Sequence, residues 1–496
     1  MRKKFPPRTA DKLTGGNRGL CFCLAWFLRL GHRSRVPDTR VPLPDVLAAQ
    51  RAFFAGGRTR AVAFRLQALR RLREVFVRHE EEIYQALEQD LGKPRFEVLG
   101  SEISGIRNEL DVVIRRLPGW IRSRRRPNPW VLFPGRAFIQ PEPYGTVLIV
   151  SPWNYPLDLS LTPLVGAIAA GNTVILKPSE LAPASSQLLA KIVAEAFPTE
   201  HALVCAGGIE VAQTLLEQRF DYIFFTGGEA VGRLVLQAAS VHLTPVTLEL
   251  GGKSPVVVDA DAPLELAARR ILFGRFFNAG QTCVAPDYVL VDQRVYAPFL
   301  EQLQLEHHRL YGVHPCRDVG RVINAHHFAR LVAYLKDGRI LCGGEHDATT
   351  LKIHPTVLVD VAPNAPVMRE EIFGPILPVL SVADFDAAIR FINDRPRALA
   401  LYLFSRDHHR QKELLRRTSS GGVTLNDTLS HYVNRDLPFG GIGPSGMGRY
   451  HRQASFDTFS HHRSVQVAGT FPDIRLKYPP YDGKLGLLRQ FLRYFN

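Results

Sequence analysis

The sequence predicts an α/β protein with a doubly wound parallel sheet, a second α/β domain downstream and a small extended arm. Three observations carry that prediction. From residue 145, short apolar runs alternate with helical stretches of ten or so residues, the signature of parallel strands joined by helical crossovers. A second series of apolar runs occupies residues 250–422. Between residues 118 and 143, "PGWIRSRRRPNPWVLFPGRAFIQPEP" is too dense in Pro and Arg for a continuous helix and reads as an excursion from the domain body.

In chain order, residues 46–79 repeat apolar positions at helical spacing, broken at Gly56-Gly57, and the pattern resumes over 80–91. Then "GTVLIVS" (145–151) reads as a buried strand and "PLDLSLTPLVGAIAAG" as an apolar helix ending at Gly171. "NTVILKPSE", "ALVCAGG" and "YIFFTGG" follow as strands, separated by the helices "SSQLLAKIVAEAF" and "EVAQTLLEQ" and followed by the helix "AVGRLVLQAAS". In such a sheet, ligands bind at the carboxyl ends of the strands. The second stretch offers "SPVVVDA", "DYVLVD", "TVLVDV" and "ILPVLSV" as strands. A glycine-rich segment beyond Asn426 reads as loop followed by strand. The final "KLGLLRQFLRYFN" sets Leu488, Phe491, Leu492 and Phe495 on one face of a basic amphipathic helix.

At 496 residues and 46% hydrophobic content, the chain has material for about three domains. Its six cysteines (Cys21, Cys23, Cys205, Cys283, Cys316 and Cys342) are too few and too scattered for a disulfide framework, which points to a reducing, cytoplasmic setting. No metal is expected: His307-His308 and His461-His462 lack ligand spacing, and no CxxC pairs exist. Of the net charge of +15, residues 1–44 supply +8, from ten Lys/Arg against Asp11 and Asp38. The body is only mildly basic, so no nucleic-acid partner is expected. That leader, expected to be poorly ordered, holds "LCFCLAWFL", which is too short to span a bilayer and has no A-x-A cleavage site. A transit leader and a misassigned start codon both fit, and the second is favoured.

Four places offer chemistry. "GGEAVG" (227–232) follows a strand and opens a helix, where backbone N–H groups can receive a pyrophosphate; the plainer reading is a simple turn. "LKPSE" ends a strand with Lys177 and Glu180 three apart, suited to ribose hydroxyls, or else an exposed turn. "LELGGK" places Glu249 at an apolar strand end, where burial raises a carboxyl pKa and makes a general base; a rim carboxylate is the commoner outcome. Cys283 follows a flexible, polar "NAGQT" run, a setting expected to leave the thiol unburied and to favour thiolate.

Together "SPWNYP", "LKPSE", "FFTGG", "LELGGK", "NAGQTCVAPDYV", "EEIFGP" and "LPFGGIGPSGMGRYH" resemble the aldehyde dehydrogenase superfamily over residues 46–467. "GQTCVAPDYVL" and "FDTFSHHRS" are similar to the class 3 branch of fatty and aromatic aldehyde dehydrogenases. The resemblance implies oxidation of a medium- or long-chain aliphatic or an aromatic aldehyde to the acid. It implies Cys283 as nucleophile, Asn154 as oxyanion donor and Glu249 as the base that activates water. It further implies that Lys177 and Glu180 contact the adenosine ribose, Gly227, Gly228 and Gly232 the pyrophosphate, and Glu371 and Phe373 the nicotinamide ribose. Tyr155 and Tyr432 are candidates for the substrate tunnel.

NAD is the expected cofactor because the Glu180 carboxylate disfavours a 2′-phosphate, and NADP is left open because the class 3 branch that the sequence resembles often uses both. Gly228 and Glu229 depart from the family pattern and put a negative charge near the phosphates. Implied domains are 1–44 (extension), 45–248 (NAD(P)-binding, interrupted by an oligomerisation arm at 118–143), 249–425 (catalytic), 426–470 (substrate and oligomerisation) and 471–496 (tail). The resemblance also implies a homodimer, and the tail leaves peripheral membrane contact open. An acylating relative and a catalytically idle member are the alternatives.

Overall fold

A computed structural model describes residues 42–312, 316–473 and 475–495. The expectations for residues 1–41 lie outside that range. Helices Leu43–Ala55, Val62–Arg78 and Glu80–Leu91 form the lead-in. Glu80, Glu81 and Glu82 fill the first turn of the third helix, where negative charge complements the backbone dipole.

The first sheet has the order Gly446–Met447, Val246–Glu249, Tyr222–Thr226, Thr146–Val150, Thr173–Lys177, Ala202–Val204. All neighbours are parallel except the two-residue edge strand. Chain order reverses between Thr146–Val150 and Tyr222–Thr226, which opens a crevice at their carboxyl ends. Helix Asp158–Ala170 crosses beneath, and all of its residues are buried; its sequence is accordingly apolar all round and not amphipathic. Gly171 ends it in the left-handed region, φ 98°.

The second sheet runs Arg339–Cys342, Thr356–Val359, Ile376–Val382, Tyr288–Asp292, Pro255–Val258, Ala400–Phe404, Gly422–Leu425, with only Arg339–Cys342 antiparallel. Three of these seven were not anticipated. Ala400–Phe404 is buried throughout, and a short, fully buried strand has no alternation to betray it. The arm is a three-stranded antiparallel sheet of Arg124–Arg126, Gly135–Pro143 and Ser460–Ala468, in register from Ser460 opposite Pro143 to Ala468 opposite Gly135.

Two expectations need correction. Helix Ser104–Trp120 runs through Pro118, so the excursion starts after Trp120. A proline in the last turn forfeits only one bond near an end that has few to lose. The glycine-rich segment also contains a helix, Arg452–Thr458, packed on Asp158–Ala170, where a Cβ on Gly166 would lie 2.5 Å from the Ser455 Cβ. Residues 426–470 therefore add strands to the first sheet and the arm. The tail forms helix Lys484–Phe495 with Leu485, Leu487, Leu488 and Leu492 exposed. Among the described residues no helix is long and apolar enough to cross a membrane.

Candidate active site

The segment before Cys283 is neither flexible nor solvated. Asn278, Ala279, Gly280, Gln281 and Thr282 are all buried, and Asn278, Ala279 and Gly280 hold left-handed backbone at φ 54°, 54° and 73°. Three successive such residues, two with a Cβ, persist only where the surroundings over-determine them. The Asn278 N–H donates to Glu97 Oε2 (3.0 Å), Gln281 Nε2 to the carbonyl of Arg321 (3.0 Å), and the Ile323 N–H to Gln281 Oε1 (3.0 Å). A Cβ on Gly280 would meet the carbonyl oxygen of Gly374 at 2.2 Å, so only glycine fits. Polarity here satisfies buried backbone and does not admit water.

The consequence for Cys283 reverses the expectation of a low pKa. The thiol is partly buried, and burial pushes its pKa up, with the carboxylates of Glu371 and Glu249 adding to the effect. The backbone N–H groups of Cys283 and Val284 act in the opposite sense and do not overcome it.

Asn154 and Tyr155 follow the first strand and reach the same loop. The Asn154 side-chain amide donates to the carbonyl of Gln281 (3.0 Å), and the Tyr155 hydroxyl bonds the Thr282 hydroxyl (2.6 Å). An amide nitrogen has two hydrogens, so Asn154 keeps one for a ligand. Glu249 ends the strand Val246–Glu249, is 2% exposed, and neither carboxylate oxygen has a partner among the described residues. Burial pushes its pKa well up.

Asp287 ties three of the sequence motifs together. It accepts from Arg275 (2.9 Å), from the N–H of Ile372 (3.1 Å) and from Lys253, which also donates to the carbonyls of Val367 and Glu370 (2.9 Å each). This brings "LGGK", the Cys283 loop and "EEIFGP" into one locality. Glu371 accepts from the N–H of Gly252 (3.3 Å), and its carboxyl is pushed up to about 8, by burial first and then by Asp287. Phe373 adopts φ 51° and sets its ring edge-on to Trp153 at 5.3 Å.

A cavity of about 750 Å³ has Cys283 in its wall. Tyr155 and Tyr432 line it with Phe96, Leu159, Phe273 and Phe277, while Gly100, Ser101, Ser104 and Gly105 leave one wall low. Tyr432 donates to Asp158 Oδ2 (2.6 Å), which Arg435 also holds with two contacts of 2.7 and 2.8 Å to the same carboxylate.

The crevice of the first sheet suits a dinucleotide. Gly228, the N-cap of helix Glu229–His242, makes no side-chain cap, and a Cβ on it would meet nothing within 4 Å, so the first helical N–H groups stand open. Beside it the Thr226 hydroxyl is buried without a partner among the described residues. Lys177, 3% exposed at its strand's carboxyl end, pairs with the exposed Glu180 (2.7 Å). Glu229 is paired with Arg233 (2.6 Å), so the departure from the family pattern brings no bare negative charge to the crevice.

Residues 45–465 match the model of the aldehyde dehydrogenase family. The chain belongs to that family. It is 44% identical over 447 residues to 4,4'-diaponeurosporen-aldehyde dehydrogenase of Staphylococcus aureus, covering 89% of this chain and 97% of the relative. It is 47% identical over 443 residues to human aldehyde dehydrogenase family 3 member B1, covering 88% and 95%. A solved structure of Staphylococcus aureus AldH in a substrate-bound state superposes with TM-score 0.89 at 43% identity, covering 91% of this chain and all of that one. This dehydrogenase is an oxidoreductase acting on aldehydes, and its family uses NAD(P).

Sequence reasoning passed over Lys93, Glu97, Glu102, Asp287 and Arg275. All five are buried ionisable residues. A charged residue reads as surface until the fold encloses it, so periodicity carries no sign of them. The stretch "DLGKPRFEVLGSE", with five charges among apolar residues and no amphipathic repeat, is the one signal that could have drawn attention.

Proposed function

We infer that this dehydrogenase oxidises a long or bulky apolar aldehyde through a covalent bond to Cys283. The observation that carries this reading is the opening of Cys283 onto an aromatic-walled cavity of about 750 Å³. A small aldehyde has no use for so much apolar wall, and burying an alkyl chain there gains roughly 0.8 kcal/mol per methylene. That one relative is named for a diaponeurosporen aldehyde supports the same substrate class.

The Cys283 thiol gives its proton to solvent, its sulfur bonds to the carbonyl carbon, and the π pair of the C=O bond moves onto the oxygen, which gains the charge. Asn154 and the Cys283 N–H donate to that oxygen. The chemistry NAD(P)⁺ supplies when bound is acceptance of the hydride, which leaves Cys283 as a thioester. Lys177 and Glu180 would hold the adenosine ribose, Gly227, Gly228 and Gly232 the pyrophosphate, and Glu371 and Phe373 the nicotinamide ribose. Glu249, unpartnered and buried, takes a proton from water; the water oxygen bonds to the acyl carbon, the C–S bond breaks, and the acid leaves. NAD is favoured over NADP because the Glu180 carboxylate repels a 2′-phosphate.

A kcat/KM series from acetaldehyde to hexadecanal, with each cofactor, tests the reading. A rise with chain length and free acid as product support it; a preference for acetaldehyde, acyl-coenzyme A as product, or no turnover of any member would overturn it. Two further proposals accompany it. The enzyme is a cytoplasmic homodimer joined through the arm, which light scattering tests; a monomer mass rejects it. The basic tail helix contacts anionic bilayers, and failure to co-sediment with phosphatidylserine vesicles rejects that.

A further inference from the structure

Beneath the turn that carries Asn154 lies an ion pair shut off from water. Lys93 and Glu102 have side chains 0% exposed, and Lys93 Nζ donates to Glu102 Oε1 at 2.7 Å. Removing both charges from water consumes most or all of their mutual attraction, so stability alone gives little reason to place such a pair in a core. Among the described residues, the remaining side-chain bonds of the pair all go to one turn. Lys93 Nζ donates to the Asn154 carbonyl (3.3 Å) and stands 4.2 Å from the centroid of the Tyr155 ring. Glu102 Oε2 accepts from the N–H groups of Leu157 (2.9 Å) and Asp158 (3.3 Å), at the start of the buried helix. The turn from Asn154 to Asp158 is thus held at one end by the ammonium and at the other by the carboxylate.

The same carbonyl of Asn154 also accepts from Asn278 Nδ2 (2.9 Å), in the left-handed stretch before Cys283. The backbone of Asn154 is therefore fixed from two sides while its side chain is fixed by Gln281. We propose that Lys93, paired with Glu102, is a positioning residue that sets the reach of the Asn154 amide toward the reacting oxygen. This rests on the reading of Asn154 as the oxyanion donor. Lys93 touches no reacting atom; it acts through Asn154, and a displacement of about 1 Å in a donor is enough to lower a rate by ~10²-fold.

Double-mutant kinetics test this, with hexanal and whichever of NAD⁺ or NADP⁺ the wild type reduces. Lys93→Met is expected to lower kcat/KM about 30- to 100-fold, with KM for the cofactor unchanged, and Lys93→Arg to recover part of the loss. In an Asn154→Ala background the same Lys93→Met change is expected to cost less than about 3-fold, because the donor it positions is gone. If Lys93→Met does not accumulate folded, Lys93→Met with Glu102→Gln replaces the ion pair by a neutral pair and carries the same comparison. Wild-type turnover in the Lys93 variant, or an equal loss in both backgrounds, overturns the positioning role alone. An Asn154→Ala enzyme as active as wild type overturns the oxyanion reading and this proposal together.

Discussion

Asn154 donates its side-chain amide to the backbone carbonyl of Gln281 across 3.0 Å, joining the turn after the first strand to the loop that delivers Cys283 two residues later. The two elements lie 127 positions apart in the chain. Replacing Asn154 with Ala removes both this tie and the donor left for the oxyanion. The expected loss in kcat is about 10²- to 10³-fold, measured as reduced cofactor at 340 nm. Cys283→Ser is expected to abolish turnover; an undiminished rate in that variant would sink the covalent mechanism.

Among the described residues neither carboxylate oxygen of Glu249 is bonded, and burial pushes its pKa well up. A base works deprotonated, and burial favours the protonated form, so the competent fraction climbs as pH rises through the raised pKa. Steady-state kcat is therefore expected to increase from pH 6 to pH 9. Glu249→Gln should leave a burst of about one equivalent of reduced cofactor, followed by turnover slowed about 10²- to 10⁴-fold. Stopped-flow absorbance separates the two phases, and loss of the burst itself would show that Glu249 acts before the thioester.

Gly280 stands at φ 73° with the Gly374 carbonyl where a Cβ would go. Gly280→Ala is expected to destabilise the fold by more than about 1 kcal/mol and to cut activity further, since the strain falls on the Cys283 loop. Thermal melting and turnover, measured together, check both halves.

Ser104 lies on the low wall of the cavity. A Phe there narrows the space without touching Cys283, so Ser104→Phe is expected to raise KM for hexadecanal about tenfold or more and to leave propanal nearly unchanged. Equal effects on both aldehydes would move the substrate chain elsewhere.

Glu180 is exposed and, among the described residues, bonded only to Lys177. Glu180→Gln removes the charge that opposes a 2′-phosphate and is expected to raise the NADP⁺/NAD⁺ ratio of kcat/KM by about tenfold, equivalent to ~1.4 kcal/mol. An unchanged ratio would place the 2′ position away from this strand end.

The sequence by itself determined the parallel alternation, the glycine that ends the buried helix, and Cys283 and Glu249 as candidates; Asn154 became a candidate only through the resemblance of the motif set to the aldehyde dehydrogenase superfamily. The former are legible because they depend on local spacing: period-two and apolar runs, a left-handed cap, and short motifs with a fixed mechanism. Only the tertiary structure decided that "NAGQT" is buried, that the Cys283 thiol is pushed up and not down, and that residues 446–447 edge the first sheet while residues 460–468 complete the arm. Each of these depends on partners far along the chain, such as Gly374 over Gly280, Glu97 on Asn278, and Glu371 and Glu249 near the thiol. A polar residue's effect reverses with its surroundings, bonding water when exposed and fixing backbone when enclosed, and no local pattern states which will hold.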